Sequence, residues 1–235
     1  MKSFLAGALD LCFPPICLAC SARIDSKDPF LCSRCRENLE LIEDFVCPVC
    51  GAFDTNRQED CSYCNSELIS FDKCRSLYPY NNVMRTLIHQ LKYNEMTKIS
   101  SYLAEKAVDY LRRHNPFPEV GCISPVPLHP TKARSRGYNQ AALITKKIAA
   151  SFSWTYRPNL IKRTKFTERQ SHLAPEERKL NVSKAFSIDR KETVQDYNIL
   201  IIDDVFTTGA TVNSICRLLR EQLNGKIYVL TIARA

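Results

Sequence analysis

No stretch of the 235 residues approaches the ~20 consecutive apolar residues of a membrane span, so no spanning helix is expected. No glycine loop leads into Gly-Lys-Ser/Thr, which argues against a P-loop nucleoside triphosphatase. A secretory leader is present only in outline. Met1 to Leu9 begins like one, but Asp10 interrupts the apolar run and Pro14-Pro15 follow. Residues 4–13 are expected to form a short amphipathic helix against the body instead. Acidic residues are scarce in one region: residues 132–191 hold 15 Lys/Arg and only 4 Asp/Glu. A basic field of that size favours phosphorylated ligands or nucleic acid. A solvated face serving solubility and phosphate binding is the plainer alternative. The formal charge of +8 is divided unevenly, because residues 1–75 carry 8 Lys/Arg against 12 Asp/Glu and the remainder 25 against 13.

Cysteine is abundant, and ten of the twelve lie in the first 74 residues. In a secreted chain they would read as disulfides. Their spacing reads differently. Cys17-x-x-Cys20 is followed by Cys32-x-x-Cys35, then Cys47-x-x-Cys50 by Cys61-x-x-Cys64. Each pair is a tight turn presenting two sulfurs to one tetrahedral metal, and two such turns close a structural site with no position left for a reacting water. The eight cysteines therefore predict one or two zinc ions. Pairing in sequence order and a cross-braced arrangement both fit the spacing, and a redox role for Cys-x-x-Cys is a weaker alternative. Cys12, Cys74, Cys122 and Cys216 fall outside the pattern and read as buried thiols. Thiolate ligands imply a reducing cytoplasm. The expected organisation is a zinc-binding module over residues 1–75 and a larger domain over 76–235.

The larger domain centres on Ile199-Leu200-Ile201-Ile202-Asp203-Asp204-Val205-Phe206-Thr207-Thr208-Gly209-Ala210-Thr211. Four aliphatics predict a strand buried on both faces of a parallel sheet. Val212, Ile215, Leu218 and Leu219 then recur at helical spacing. Polar groups thus sit at the carboxyl end of a strand, where open α/β sheets bind ligands. Gly209 lets a ligand approach the backbone. Free N–H groups at the following helix start favour an anion, and the hydroxyls of Thr207, Thr208 and Thr211 add donors. Asp203 and Asp204 suit sugar hydroxyls or Mg2+. Phosphate, diol and metal together suggest a phosphorylated ribose. The stretch resembles the phosphoribosyl pyrophosphate (PRPP) motif of type I phosphoribosyltransferases. That resemblance implies that the two acids hold the ribose hydroxyls and that Thr207, Thr208, Gly209, Ala210 and Thr211 hold the 5′-phosphate.

Elsewhere, residues 68–80 read as a connector or edge strand. Val83, Leu87, Ile88 and Leu91 predict a helix ending near Lys92-Tyr93, and a second helix spans about 96–114. A short strand from Cys122 ends in Pro125-Val126-Pro127-Leu128-His129-Pro130. Lys132, Arg134 and Arg136 then crowd together before a helix to about 152, and Arg suits bidentate phosphate contact, so a second phosphate subsite is expected there. His129 is either a base or, more plainly, structural. Arg163 to Ser171 is polar and basic, and is either a mobile loop closing over the site or an ordinary surface connection. Ile227 to Ile232 predicts a last strand.

Leu91-Lys92-Tyr93, Pro125 to Pro130, Arg134-x-Arg136-Gly137-Tyr138-Asn139-Gln140 and the series Arg163, Gln170-Ser171, Leu173, Arg178, Asn181-Val182, Ala185-Phe186 are similar to the ComF family, including its ComFC- and GntX-like members. With the Cys-x-x-Cys pairs, the resemblance covers nearly the whole chain. It implies a Rossmann-like, type I phosphoribosyltransferase fold behind a small zinc module of double-ribbon type, and an association with natural competence. Phe206 stands where Tyr is frequent.

Three functions follow as expectations. The first is handling of incoming single-stranded DNA in natural transformation, with a competence helicase or another DNA-processing protein as partner, in the cytoplasm near the inner face of the membrane. Lys162, Arg163, Lys165 and Arg169 are the weak candidates for DNA contact, with Tyr138, Trp154, Tyr156 and Phe166 as stacking aromatics. The second is an active phosphoribosyltransferase, taking PRPP with Mg2+ and releasing pyrophosphate, with Asp203 and Asp204 orienting the ribose and Arg134, Arg136 and Lys92 binding phosphate. No acceptor pocket is named by the sequence. The third is a regulator in which PRPP controls partner binding.

Overall fold

The computed structural model describes residues 14–43, 46–53, 57, 59–163, 185–189 and 197–235. The expected helix at 4–13, most of the expected loop at 163–171, and Cys12, Lys165, Phe166 and Arg169 lie outside the described residues.

Five parallel strands form one sheet in the order β1 (Lys73–Pro79), β7 (Ile227–Arg234), β6 (Asn198–Phe206), β2 (Val120–Pro125) and β3 (Thr155–Tyr156). The architecture is the expected parallel α/β sheet, and the stretch before Tyr80 is its edge strand. β6 is central because its side chains are apolar in both directions. Leu200 and Ile202 join Leu230 and Ile232 on one face, while Ile199 and Ile201 join Ile227 and Val229 on the other. The strand runs four residues past the aliphatics, so Asp203 and Asp204 lie within it rather than in the loop. The cause is β7, which keeps pairing through Asp203↔Thr231, Val205↔Ala233 and Phe206↔Arg234.

The first face is covered by α3 (Asn82–Tyr93), α4 (Lys98–His114) and α6 (Gln140–Phe152). Asn81 and Asn139 start α3 and α6 by accepting from the free N–H groups of Met84 and of Ala141 and Ala142. The second face is covered by α7 (Ala210–Arg220) and by an antiparallel ribbon of β4 (Ile161–Arg163) and β5 (Phe186–Ile188). A seven-residue helix, α5 (Pro130–Arg136), carries the basic cluster. His129 caps it, accepting from the Thr131 N–H at 3.2 Å, and Pro130 supplies a preset first residue. This is the structural role for His129.

Two short helices, α1 (Ser33–Glu37) and α2 (Ser62–Ser66), belong to the cysteine region. Cys17, Phe30, Leu31, Cys32 and Cys35 share the core of the first face, and Cys47, Cys50 and Cys61 that of the second. No described helix is long and apolar enough to cross a membrane.

Candidate functional site

The eight spaced cysteines form two clusters in sequence order: Cys17, Cys20, Cys32 and Cys35, then Cys47, Cys50, Cys61 and Cys64. In each, the four sulfurs lie within 4.8 Å of one another. Cys20 and Cys32 are 3.6 Å apart, Cys47 and Cys64 3.6 Å, and Cys50 and Cys61 3.4 Å. Four thiolates on a tetrahedral zinc at about 2.3 Å stand about 3.8 Å apart, so both clusters fit that ion. Their acidity agrees. Burial raises the Cys17 thiol, but N–H groups of Cys32, Cys20 and Ala19 outweigh it and hold it at about 6. Burial and the facing sulfurs push Cys35 up, and burial leads in pushing Cys50 to about 11. Only some sulfurs in such a cluster ionise unaided, and a divalent cation lets all four do so.

The second constellation stands at the carboxyl end of β6. Asp204 is buried and accepts from Lys92 of α3 at 2.8 Å and from the Gln140 side-chain amide of α6 at 2.6 Å, both at Oδ2. Arg136 in turn donates to Gln140 Oε1. Asp203 accepts from the Asp204 N–H at 2.8 Å. Burial, then the charge of Asp204, raises the Asp203 carboxyl to about 7, against the pull of Lys92 and Arg163. Asp203 therefore keeps its proton to higher pH than an ordinary carboxyl, while Asp204 is paired with Lys92.

Beyond the acids the chain turns. Thr207 and Thr208 are exposed, Gly209 takes φ +69°, and α7 begins at Ala210. A cleft of about 300 Å3 is lined by Lys92, the partner of Asp204, and by Tyr93, Glu95, Lys132, Ser135, Arg136 and Tyr138. Its lining carries three cations against one acid, with Lys92 already paired to Asp204. The Arg136 guanidinium lies 5.3 Å from the Tyr93 ring centre. Arg134 is exposed on α5 and does not line the cleft, whereas Lys132 does. Among the expected DNA contacts, Lys162 pairs with Asp189 at 2.6 Å. Arg163 lies over Phe186 at 5.3 Å and is close enough to Asp203 and His129 to act on both charges. Lys132 belongs to the basic cluster expected from the sequence, whereas the contact of Gln140 with Asp204 and the inward turn of Arg163 are long-range features. Only the alternation along β4 signals the last, because neighbours on a strand point to opposite faces.

A parallel α/β sheet with basic groups at its carboxyl end, joined to paired four-cysteine clusters, defines the class. A double zinc ribbon domain model matches residues 8–75. Competence protein F of Haemophilus influenzae is 30% identical over 223 residues, covering 93% of this chain and 96% of that one. The DNA utilization protein YhgH of Escherichia coli K12 is 29% identical over 192 residues, covering 80% and 84%. Competence protein ComFC of Streptococcus pneumoniae is 27% identical over 197 residues, covering 83% and 84%. The chain belongs to the ComF family of competence proteins. Among solved structures, the adenine phosphoribosyltransferase of Leishmania tarentolae aligns at 13% identity and TM-score 0.38, covering 60% of this chain and 73% of that one, a likeness too loose to carry function.

Proposed function

We propose that the protein serves natural competence by handling incoming single-stranded DNA in the cytoplasm, and that the carboxyl end of β6 binds PRPP with Mg2+. In this reading residues 1–75 are a double zinc module and residues 76–235 a phosphoribosyltransferase-like domain, with β1 crossing the boundary. Zinc held by the two clusters supplies structural cross-links and no open coordination position. The observation that carries the ligand reading is the buried Asp204, fixed by Lys92 and Gln140, one residue from a carboxyl raised to about 7 and three before a glycine turn that opens a helix. Two adjacent carboxylates match a ribose diol and a divalent cation. Thr207, Thr208 and Thr211, with the N–H groups from Gly209 and Ala210, suit the 5′-phosphate. Lys92, Lys132 and Arg136 suit the pyrophosphate.

The DNA reading rests on the basic balance of residues 132–191 and on the printed names of the relatives. Lys162 lies in the middle of this stretch and pairs with Asp189, while Arg163 is close enough to Asp203 to act at the PRPP site.

The test is calorimetric titration of the zinc-loaded protein with PRPP and Mg2+, with and without a single-stranded oligonucleotide at several salt concentrations. Saturable binding that is lost in Asp203→Ala/Asp204→Ala with zinc content unchanged is expected, together with salt-dependent oligonucleotide binding. A change in PRPP affinity on adding DNA measures the coupling between them. Equal PRPP binding by the double variant overturns the ligand site. Release of pyrophosphate during titration turns the reading toward a transferase.

A further inference from the structure

The second cysteine cluster touches the turn that follows β6. Tyr63 stands between Cys61 and Cys64 on α2, so the metal ligands on either side fix the direction of its ring. Its hydroxyl accepts from the Asn213 side-chain amide at 3.0 Å and donates to the Thr208 carbonyl at 3.4 Å. Its ring meets Phe206 edge-on at 5.5 Å. Asn213 closes the arrangement, because its N–H donates to the Gly209 carbonyl at 2.8 Å and its Oδ1 accepts from the Ser70 N–H at 3.4 Å.

Gly209 shows how close the fit is. A Cβ built there would stand 2.0 Å from the Tyr63 hydroxyl oxygen and 2.6 Å from Phe206 Cζ. The tyrosine therefore fills the space behind the turn, while Thr207 and Thr208 face solvent on the other side. Further links tie the same cluster to the sheet. The buried Arg234 donates to the Cys50 carbonyl at 2.8 Å and lies over Phe206 at 4.3 Å, and the Cys74 N–H donates to the Val49 carbonyl at 2.7 Å.

We infer that Tyr63 is a positioning residue for the turn at Thr207–Thr211, and that the conformation of this turn depends on metal held by Cys47, Cys50, Cys61 and Cys64. The ligand consequence rests on the reading of that turn as a phosphate site. A phosphate cradle works through N–H groups already aimed at the anion, and a turn that must be ordered on binding loses affinity. Loss of the metal frees Cys61 and Cys64, and with them the tyrosine that backs the turn. By linkage, a ligand on the turn must hold the metal more tightly as well.

The experiment compares wild type, Tyr63→Phe and Cys64→Ser as full-length chains. Zinc content, the amide NMR resonances of Thr208, Gly209 and Ala210, and PRPP affinity are measured on each. Tyr63→Phe loses the hydrogen bonds to Thr208 and Asn213; it should keep both zinc ions, shift those three amides, and weaken PRPP about three- to tenfold, the worth of the one bond made to the turn itself. Cys64→Ser should lose one zinc and shift the same amides further. In wild type, PRPP should slow the release to a chelator of one zinc of the two. Unmoved turn amides in Tyr63→Phe, or after chelation of the second cluster, overturn the inference. If wild type binds no PRPP, the ligand reading falls, while the amide shifts still decide whether Tyr63 positions the turn.

Discussion

The two four-cysteine clusters are alike in spacing and differ in what they support. The first packs on α3 and α4, on the face of the sheet away from the turn. Among its links to the body, Asp28 accepts from the Phe30 and Leu31 N–H groups at 2.9 and 2.8 Å and from the Tyr102 hydroxyl of α4 at 2.9 Å. The second packs on the other face and reaches the carboxyl end of β6 through Tyr63 and Arg234. Two clusters of equal spacing thus differ in what they contact: the first packs on the face covered by α3 and α4, and the second reaches the turn after β6. The difference lies in the residue between the two cysteines of a knuckle and in which sheet face receives it, not in the metal ligands.

The largest effect expected is from the ligands themselves. Cys32→Ser and Cys61→Ser should each lose one zinc and lower the Tm by about 10 °C or more, because a structural zinc contributes several kcal/mol to folding. Only Cys61→Ser should also remove PRPP binding from the folded fraction at a temperature where both variants stay folded. Equal loss of binding in both would break the comparison.

Next in size is Arg234→Met. The change leaves the Cys50 carbonyl without its donor and removes a cation from between Phe206 and Tyr63. Together these cost about 2–3 kcal/mol, or about 6 °C in Tm. Chelation kinetics should show faster release from the second cluster alone. Faster release from both clusters would mean that Arg234 holds the whole fold rather than one knuckle.

The acids of β6 were legible from their residue types, as were the central strand, the two long helices and the cysteine spacing. The reasons are local: four aliphatics in a row, apolar residues at helical intervals, and pairs of sulfurs two residues apart. Pairing of the Cys-x-x-Cys turns in sequence order was the leading expectation and is what the structure shows, although the spacing alone also allowed a cross-braced arrangement. Tyr63, Gln140 and Arg234 were missed because each acts on a residue at least 64 positions away. A lone Tyr in a zinc knuckle or an Arg next to the last residue carries no local pattern. Helix α5 did leave a signal, since Pro130 after a capping His129 is a helix start, but the neighbouring prolines read more strongly as a loop.

A pH profile separates the chemistry of β6 from either cluster. Asp203 titrates at about 7 in the fold against about 3.9 when unfolded. The folded chain thus holds an extra proton between these values. The stability this contributes is greatest below about pH 4 and is lost as pH rises to about 7. Mg2+ and a ribose diol need the ionised pair, so PRPP affinity should rise about tenfold from pH 6 to pH 8 and then level off. Cys32→Ser should keep this profile, and Asp203→Asn should flatten it. A flat wild-type profile would place the titrating group elsewhere.

The smallest effect expected is that of Tyr102→Phe, and it is the closest control for Tyr63→Phe. Each substitution removes one hydroxyl that a tyrosine uses to join a cysteine ribbon to the body, and each leaves the ring in place. Tyr102 keeps its edge-on contact with Phe30, 5.5 Å between ring centres. Burial, then Asp28, keeps the phenol protonated and able to donate. Loss of one bond to a carboxylate costs about 1.5 kcal/mol, a fall of about 3–6 °C in Tm. Yet Asp28 retains its two N–H donors, so the ribbon stays folded and the first zinc stays bound. PRPP affinity should change less than about twofold, within the scatter of a surface substitution. If Tyr102→Phe weakens PRPP as much as Tyr63→Phe, any loosening of the zinc region reaches the β6 turn through the sheet, and Tyr63 has no special part in shaping it.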